Sequence, residues 1–239
     1  MRGAWPIALR ELSAYFRQPA GWIILALYLF LSGLVFATGI LMPGKAASLR
    51  DFFALSGWLL LPVAPAITMR LVAEELRAGT IENLFTAPLS SAAIVLGKYF
   101  GACLFLLAML APTLVYPVVL RSFSSPQPDV GPMIAGYLCL LLLGGLYLAL
   151  GTFASTLTAN GTLAFLISLF SILALMFAGS APPTTPASIR AVLDSVWITA
   201  RVLDFSRGII DTSHVVFFVT ASAWFVFLSI VSLEVRRWR

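Results

Sequence analysis

MIAGYLCLLLLGGLYLALGTF, residues 133–153, runs for 21 positions without an Asp, Glu, Lys or Arg. A bilayer core of about 30 Å needs about 20 apolar residues at about 1.5 Å each, so this stretch has the length of a membrane-crossing helix. Gly144, Gly145, Ala149 and Gly151 lie within it, small residues that let neighbouring helices approach closely. The same length test, carried outward in both directions, finds five further runs: Trp22–Leu41, Phe52–Arg70, Tyr99–Leu120, Thr162–Ser180 and Val215–Leu233. None carries a charge in its interior. The second holds Pro62 and Pro65, which remove backbone donors and favour a kink.

Of the 239 residues 60% are hydrophobic and only 10% are charged, with a mean hydropathy of +0.99. Soluble domains carry about 25% charged residues, which this chain lacks. The expectation is an all-α integral membrane protein with six transmembrane helices, a single domain over residues 1–239. Residues 1–20 form an N-terminal amphipathic interfacial helix, 22–180 hold spans one to five, 181–214 cap the outer end, and 215–233 form span six. The first run is too long and too late in the chain for a cleavable signal peptide.

An even number of spans puts both termini on one side. That side holds Arg2, Arg10, Arg17, Arg70, Arg77, Lys98, Arg236, Arg237 and Arg239, nine basic residues against five acidic ones, a balance of +4. The other holds six basic and five acidic residues, a balance of +1. Lys and Arg are retained in the cytoplasm, so both termini are expected there. The basic excess reads as membrane topology, and nucleic acid is not implied.

Several chemistries are absent. Cys103 and Cys139 fall inside spans with no CxxC spacing, so neither a disulfide framework nor a zinc site is expected. There is no GxxxxGK[ST], HExxH or GxSxG, and no span carries a central charge on which an ion-driven pump could be built. His214 is the only histidine and sits beside Asp211 at the edge of the last span, where an interfacial polar role is expected. No catalytic, cofactor-binding or metal-binding residue is expected in this chain, and its energy source should lie in another one.

Two segments break the apolar pattern at the cytoplasmic side. WPIALRELSAYFRQP, residues 5–19, places Trp5, Ala8, Leu9, Leu12, Tyr15 and Phe16 at helical spacing with Arg10 and Arg17 on another face, an interfacial helix. Pro19 and Gly21 break it before the first span. MRLVAEELRAGTIENLFTAPLSSAAIVLGK, residues 69–98, crowds charge between two spans. Gly79 reads as a helix stop, Thr80 as an N-cap for a short helix beginning at Ile81, and Pro88 as its end; Ser90 or Ser91 then caps a helix leading into span three. On pattern alone this block is a solvated loop or a docking surface. At the outer side, RSFSSPQPDVGP, residues 121–132, reads as a turn. Residues 188–214 alternate apolar and charged positions, as one or two short capping helices would, with Arg190, Asp194, Arg201, Asp204, Arg207 and Asp211 able to pair.

EELRAGTIENLFTAPLSSAAIVLGKYFGA, residues 74–102, resembles the pattern of ABC-2 type ATP-binding-cassette transporter permeases: an acidic pair, a basic residue, Gly-Thr, Glu, a Thr-x-Pro-Leu-Ser element, then Gly-Lys. RELSAYFRQP near the N-terminus and FSRGIIDTSHVVFFVTASAWFVFLSIVSLE near the C-terminus look like the gliding-motility-associated branch. The resemblance implies a type V exporter-like fold in the bacterial cytoplasmic (inner) membrane. It implies a dimer of permease chains, homo- or heterodimeric, above two separate cytosolic ATPase subunits that bind ATP and Mg. Coupling would run through Glu74, Glu75, Arg77, Gly79, Thr80, Ile81, Glu82, Leu84, Phe85, Thr86 and Pro88, with a smaller second contact at Thr156, Thr158 and Asn160 in the link STLTANG. The activity implied is export or extraction of a lipidic, peptide or polysaccharide substrate, any periplasmic or membrane accessory protein being separate. A self-contained secondary transporter or channel, and a non-transporting membrane anchor for a partner complex, are the alternatives.

Overall fold

The computed structural model describes residues 4–40, 48–80, 90–124, 128–180 and 195–237, with 186, 188 and 193. Among the described residues every regular element is helical. In chain order these are α1 (Ala4–Arg17), α2 (Pro19–Val35), α3 (Arg50–Thr68), α4 (Ala73–Ala78), α5 (Ser91–Leu110), α6 (Val115–Phe123), α7 (Val130–Leu157), α8 (Gly161–Phe177), α9 (Ile198–Ser206) and α10 (Thr212–Arg237). A π-helical turn, Phe36–Ile40, extends α2, and a 3-10 turn, Ala111–Leu114, joins α5 to α6.

Among the described residues five segments are long and apolar enough to cross a membrane: Pro19–Ile40, Arg50–Ala78, Ser91–Phe123, Val130–Leu157 and Thr212–Arg237. The chain has the architecture of an all-α, multi-pass membrane protein. The run expected at Thr162–Ser180 is shorter: α8 has 17 residues, because Asn160 caps its start and its end tightens into a 3-10 turn at Ala178–Ser180. Pro62 and Pro65 lie inside α3, which continues past both to Thr68.

The two most buried spans form the centre. Within their apolar windows 67% of α7 and 61% of α3 is buried, against 22% for α2 and 17% for α10, whose outer faces carry Trp22, Ile23, Phe30, Trp224 and Phe227 exposed. Such patches are intolerable in water and ordinary in lipid. Lipid tails are as apolar as leucine, so helices associate there through close fit more than through the hydrophobic effect. The glycines of residues 133–153 supply that fit: Gly144 receives Leu106 of α5, Gly145 lies under the Tyr99 hydroxyl, and Gly151 is closed over by Thr68 of α3 and Ser168 of α8.

Short polar ties fix the ends. Ser90 caps α5, its hydroxyl accepting from Ala93 N at 3.2 Å, as the sequence suggested. Asp129 caps α7 by accepting from Gly131 N at 3.0 Å. The outer segment does fold into a helix, α9, pinned to its neighbours: Thr199 Oγ1 donates to Met176 O at 3.0 Å, and Arg201 and Asp204 flank His214 of α10 at 3.1 Å each. Arg207 and Asp204 form the one i,i+3 pair of the expected kind among the described residues, at 3.9 Å, while Arg201 turns to His214 and Asp211 accepts from Ser213 N at 2.8 Å. That contact holds the Asp211 carboxyl below its ordinary range. Arg190 and Asp194 lie outside the described residues.

Candidate functional site

At the end of the bundle that carries the first and last described residues, α1, α4, the start of α5, the α7–α8 turn and the last turn of α10 come together. Arg236 closes this group by donating from Nη2 to Leu157 O at 2.9 Å.

α1 does more than lie at an interface. Its Ile7 and Ala8 are buried against α5, where Gly97 and Gly101 form the seat. A Cβ on Gly97 would stand 2.7 Å from Ala4 O and from Ile7 Cβ, and one on Gly101 would stand 2.7 Å from Glu11 Cβ. The GxxxG pair therefore receives a helix of its own chain. Tyr15 of α1 stacks on Phe105 at 4.7 Å between centroids and donates its hydroxyl to Ile67 O of α3 at 3.0 Å. Burial pushes the Tyr15 phenol far above its ordinary range, so it remains a donor. Of the same apolar set, Trp5 and Leu9 are exposed while Tyr15 and Phe16 pack on Phe105.

A buried lysine ties this seat to the charged block. Lys98 has 2% of its side chain exposed, and its Nζ lies 2.8 Å from Glu75 Oε1 and 3.2 Å from Glu11 Oε1. Arg10 Nη2 reaches the same two oxygens at 3.9 and 3.1 Å. Two cations and two carboxylates thus join α1, α4 and α5 in a neutral cluster. An ammonium is held out of water only when its charge and protons are met in this way.

On the far side of α4 the tie is a hydroxyl. Val72, at the N-cap position of α4, cannot cap it; Ser155 Oγ of α7 accepts from Val72 N and from Ala73 N, both at 3.0 Å. Two of the orphan amides at a helix start are thereby satisfied from another span. The chain leaves α4 through Gly79 at φ 67, a left-handed conformation that glycine adopts without a Cβ penalty.

The expected site residues fall into three groups. Glu75 is in the cluster, Glu74 pairs with Arg70 at 3.2 Å on the surface, and Arg77, Gly79 and Thr80 are exposed. Thr158 and Asn160 form the α7–α8 turn, where Thr158 Oγ1 accepts from Asn160 N at 3.1 Å and Asn160 Oδ1 accepts from Thr162 N at 3.0 Å. Thr156 is buried, its hydroxyl donating to Phe153 O at 2.7 Å, so its side chain is not on that surface. Ile81, Glu82, Leu84, Phe85, Thr86 and Pro88, with the short helix expected there, lie outside the described residues. Lys98, Glu11, Arg10 and Ser155 were not singled out from sequence as site residues. A lysine at the edge of an apolar run, with no acid near it in sequence, was the available signal.

Among the described residues no group of three or more His, Cys, Asp or Glu side chains could hold a metal ion. No protein-family model matches the chain, and no curated protein sequence matches it.

Proposed function

We propose that the chain is the permease subunit of an ABC-2 type ATP-binding-cassette transporter, working as a dimer above two separate ATPase subunits that bind ATP and Mg. On this reading α8 is the sixth crossing, since it starts beside Met69 at the terminal end and finishes beside Thr199 at the other. Both termini are then in the cytoplasm of a bacterial inner membrane. The cargo is a lipidic, peptide or polysaccharide molecule exported or extracted from the membrane.

The observation that carries the proposal is the clamp on α4. Glu75 is tied through Lys98 to α1 and α5, and the α4 amides are tied through Ser155 to α7, so α4, which precedes residues 81–89 in the chain, is a base braced on both sides. A loop so mounted passes a push from a docked subunit into several membrane helices at once, which coupling to ATP hydrolysis in another chain requires. A solvated connecting loop needs neither tie.

The test is affinity purification of the intact complex from the native membrane. An ATPase subunit should co-purify with the native chain, and Glu82→Arg or Leu84→Asp should release it or abolish coupled ATP hydrolysis while the permease stays folded. Recovery of the chain with no nucleotide-binding subunit would support a self-contained transporter or an anchor instead.

A further inference from the structure

At the opposite end of the bundle a groove of about 480 Å³ runs between α6 and α7, and neither the ATPase-coupled reading nor the packing of the spans accounts for it. Leu114 and Val118 form one wall, Val130 and Ile134 the other, and all four are exposed. Among the described residues Tyr137 brings the only hydroxyl to the lining, and it is committed, donating to Thr113 O at 2.7 Å. The body of anything lying in this groove therefore meets hydrocarbon alone.

One charge stands at the mouth. Arg121 is in the last turn of α6, two residues before the helix ends at Phe123, and it borders the groove. Among the described residues it has no acidic partner. Asp129, the next acid along the chain, spends a carboxylate oxygen on Gly131 N as the cap of α7. Since α6 ends and α7 begins here, the guanidinium sits where spans leave the hydrocarbon, the depth of lipid headgroups. A guanidinium with no acidic partner among the described residues favours, in such a place, a phosphate or carboxylate, which it can meet with two parallel donors.

From these two features we infer that the α6–α7 groove is a binding site for an anionic phospholipid, with an acyl chain along Val118 and Ile134 and the headgroup phosphate on Arg121. The site needs no second protein chain and does not depend on the proposed transport function. A zwitterionic lipid fits the same walls but brings its own cation to the headgroup, so it gains less from Arg121. One basic side chain facing an anionic headgroup is worth a factor of about five in affinity.

The test places the full-length protein in bilayers containing phosphatidylglycerol or phosphatidylcholine probes that carry a photoreactive group on one acyl chain. Cross-links are then mapped by peptide. Phosphatidylglycerol should label the peptides holding Val118 and Ile134 about five times more than phosphatidylcholine. Arg121→Gln should bring the two to equal labelling, Ile134→Trp should lower both, and excess glycerol phosphate should not compete. Because Arg121 is exposed, its replacement leaves the packing intact, and unchanged labelling of the α2 face by either probe verifies that. Equal labelling in the native protein would overturn the assignment, as would an undiminished preference in Arg121→Gln. Protein-to-protein cross-links between two copies at Val118 and Ile134, in place of lipid, would assign the groove to subunit contact.

Discussion

Replacing Lys98 by methionine keeps the length of the side chain and removes its charge. Glu75 Oε1 then loses a partner at 2.8 Å and Glu11 Oε1 one at 3.2 Å, leaving both carboxylates to Arg10, which reaches Glu75 only at 3.9 Å. Breaking a buried ion pair by removing one member costs about 3–5 kcal/mol, because the remaining charge is stranded. The lower end applies, since Glu11 and Glu75 keep 15% and 19% of their side chains exposed and Arg10 remains. For a chain of this length about 3 kcal/mol lowers the unfolding midpoint by roughly 6–12 °C. Thermal unfolding of the purified protein in mild detergent reads this directly. The triple variant Glu11→Gln, Glu75→Gln, Lys98→Met removes the stranded charges as well and should return to within about 1 kcal/mol of the native protein. A midpoint for Lys98→Met within 2 °C of native, or a triple variant no better than the single, would show that the cluster does not hold α1, α4 and α5 together.

Three further outcomes follow from the same end of the bundle and its opposite. Ser155→Ala leaves the amides of Val72 and Ala73 without their acceptor, at a cost of about 1–3 kcal/mol, and hydrogen exchange should rise at those two amides ahead of the rest of the protein. Gly101→Val forces a side chain against Glu11 Cβ and Ala8 O, which should cost about 1–3 kcal/mol and expose α1 to limited proteolysis before any span is cut. His214→Phe removes the acceptor for Arg201 and the donor for Asp204, so exchange should quicken across Ile198–Ser206 while the terminal end is unaffected.

Membrane spans are legible because the bilayer imposes one length on every crossing, and that constraint acts on each run of sequence separately. Residues 133–153 and four of their fellows were read that way, and the glycines among them mark close contacts as expected. What pairs across the bundle is written in no single run. Lys98 and Glu75 are 23 residues apart, Lys98 and Glu11 are 87, and Val72 and Ser155 are 83, so nothing in local periodicity brings them together. The seat of α1 was not legible for a related reason. An interfacial helix has two apolar surroundings, lipid and protein, and its aromatic residues do not say which side meets which; the small residues on the receiving helix do. Gly97 and Gly101 stand four apart in the sequence, but such a pair of glycines names a close approach without naming the partner. Once α1 is placed on them, Lys98 lies between those glycines on the same turn of α5, enclosed by α1 on one side and α4 on the other. Its burial follows from that enclosure, and so does its need for two carboxylates, one supplied by each covering helix. The acidic pair that reads in sequence as a surface feature is therefore divided in space: Glu74 faces outward with Arg70, and Glu75 faces inward as the joint between the charged block and the bundle.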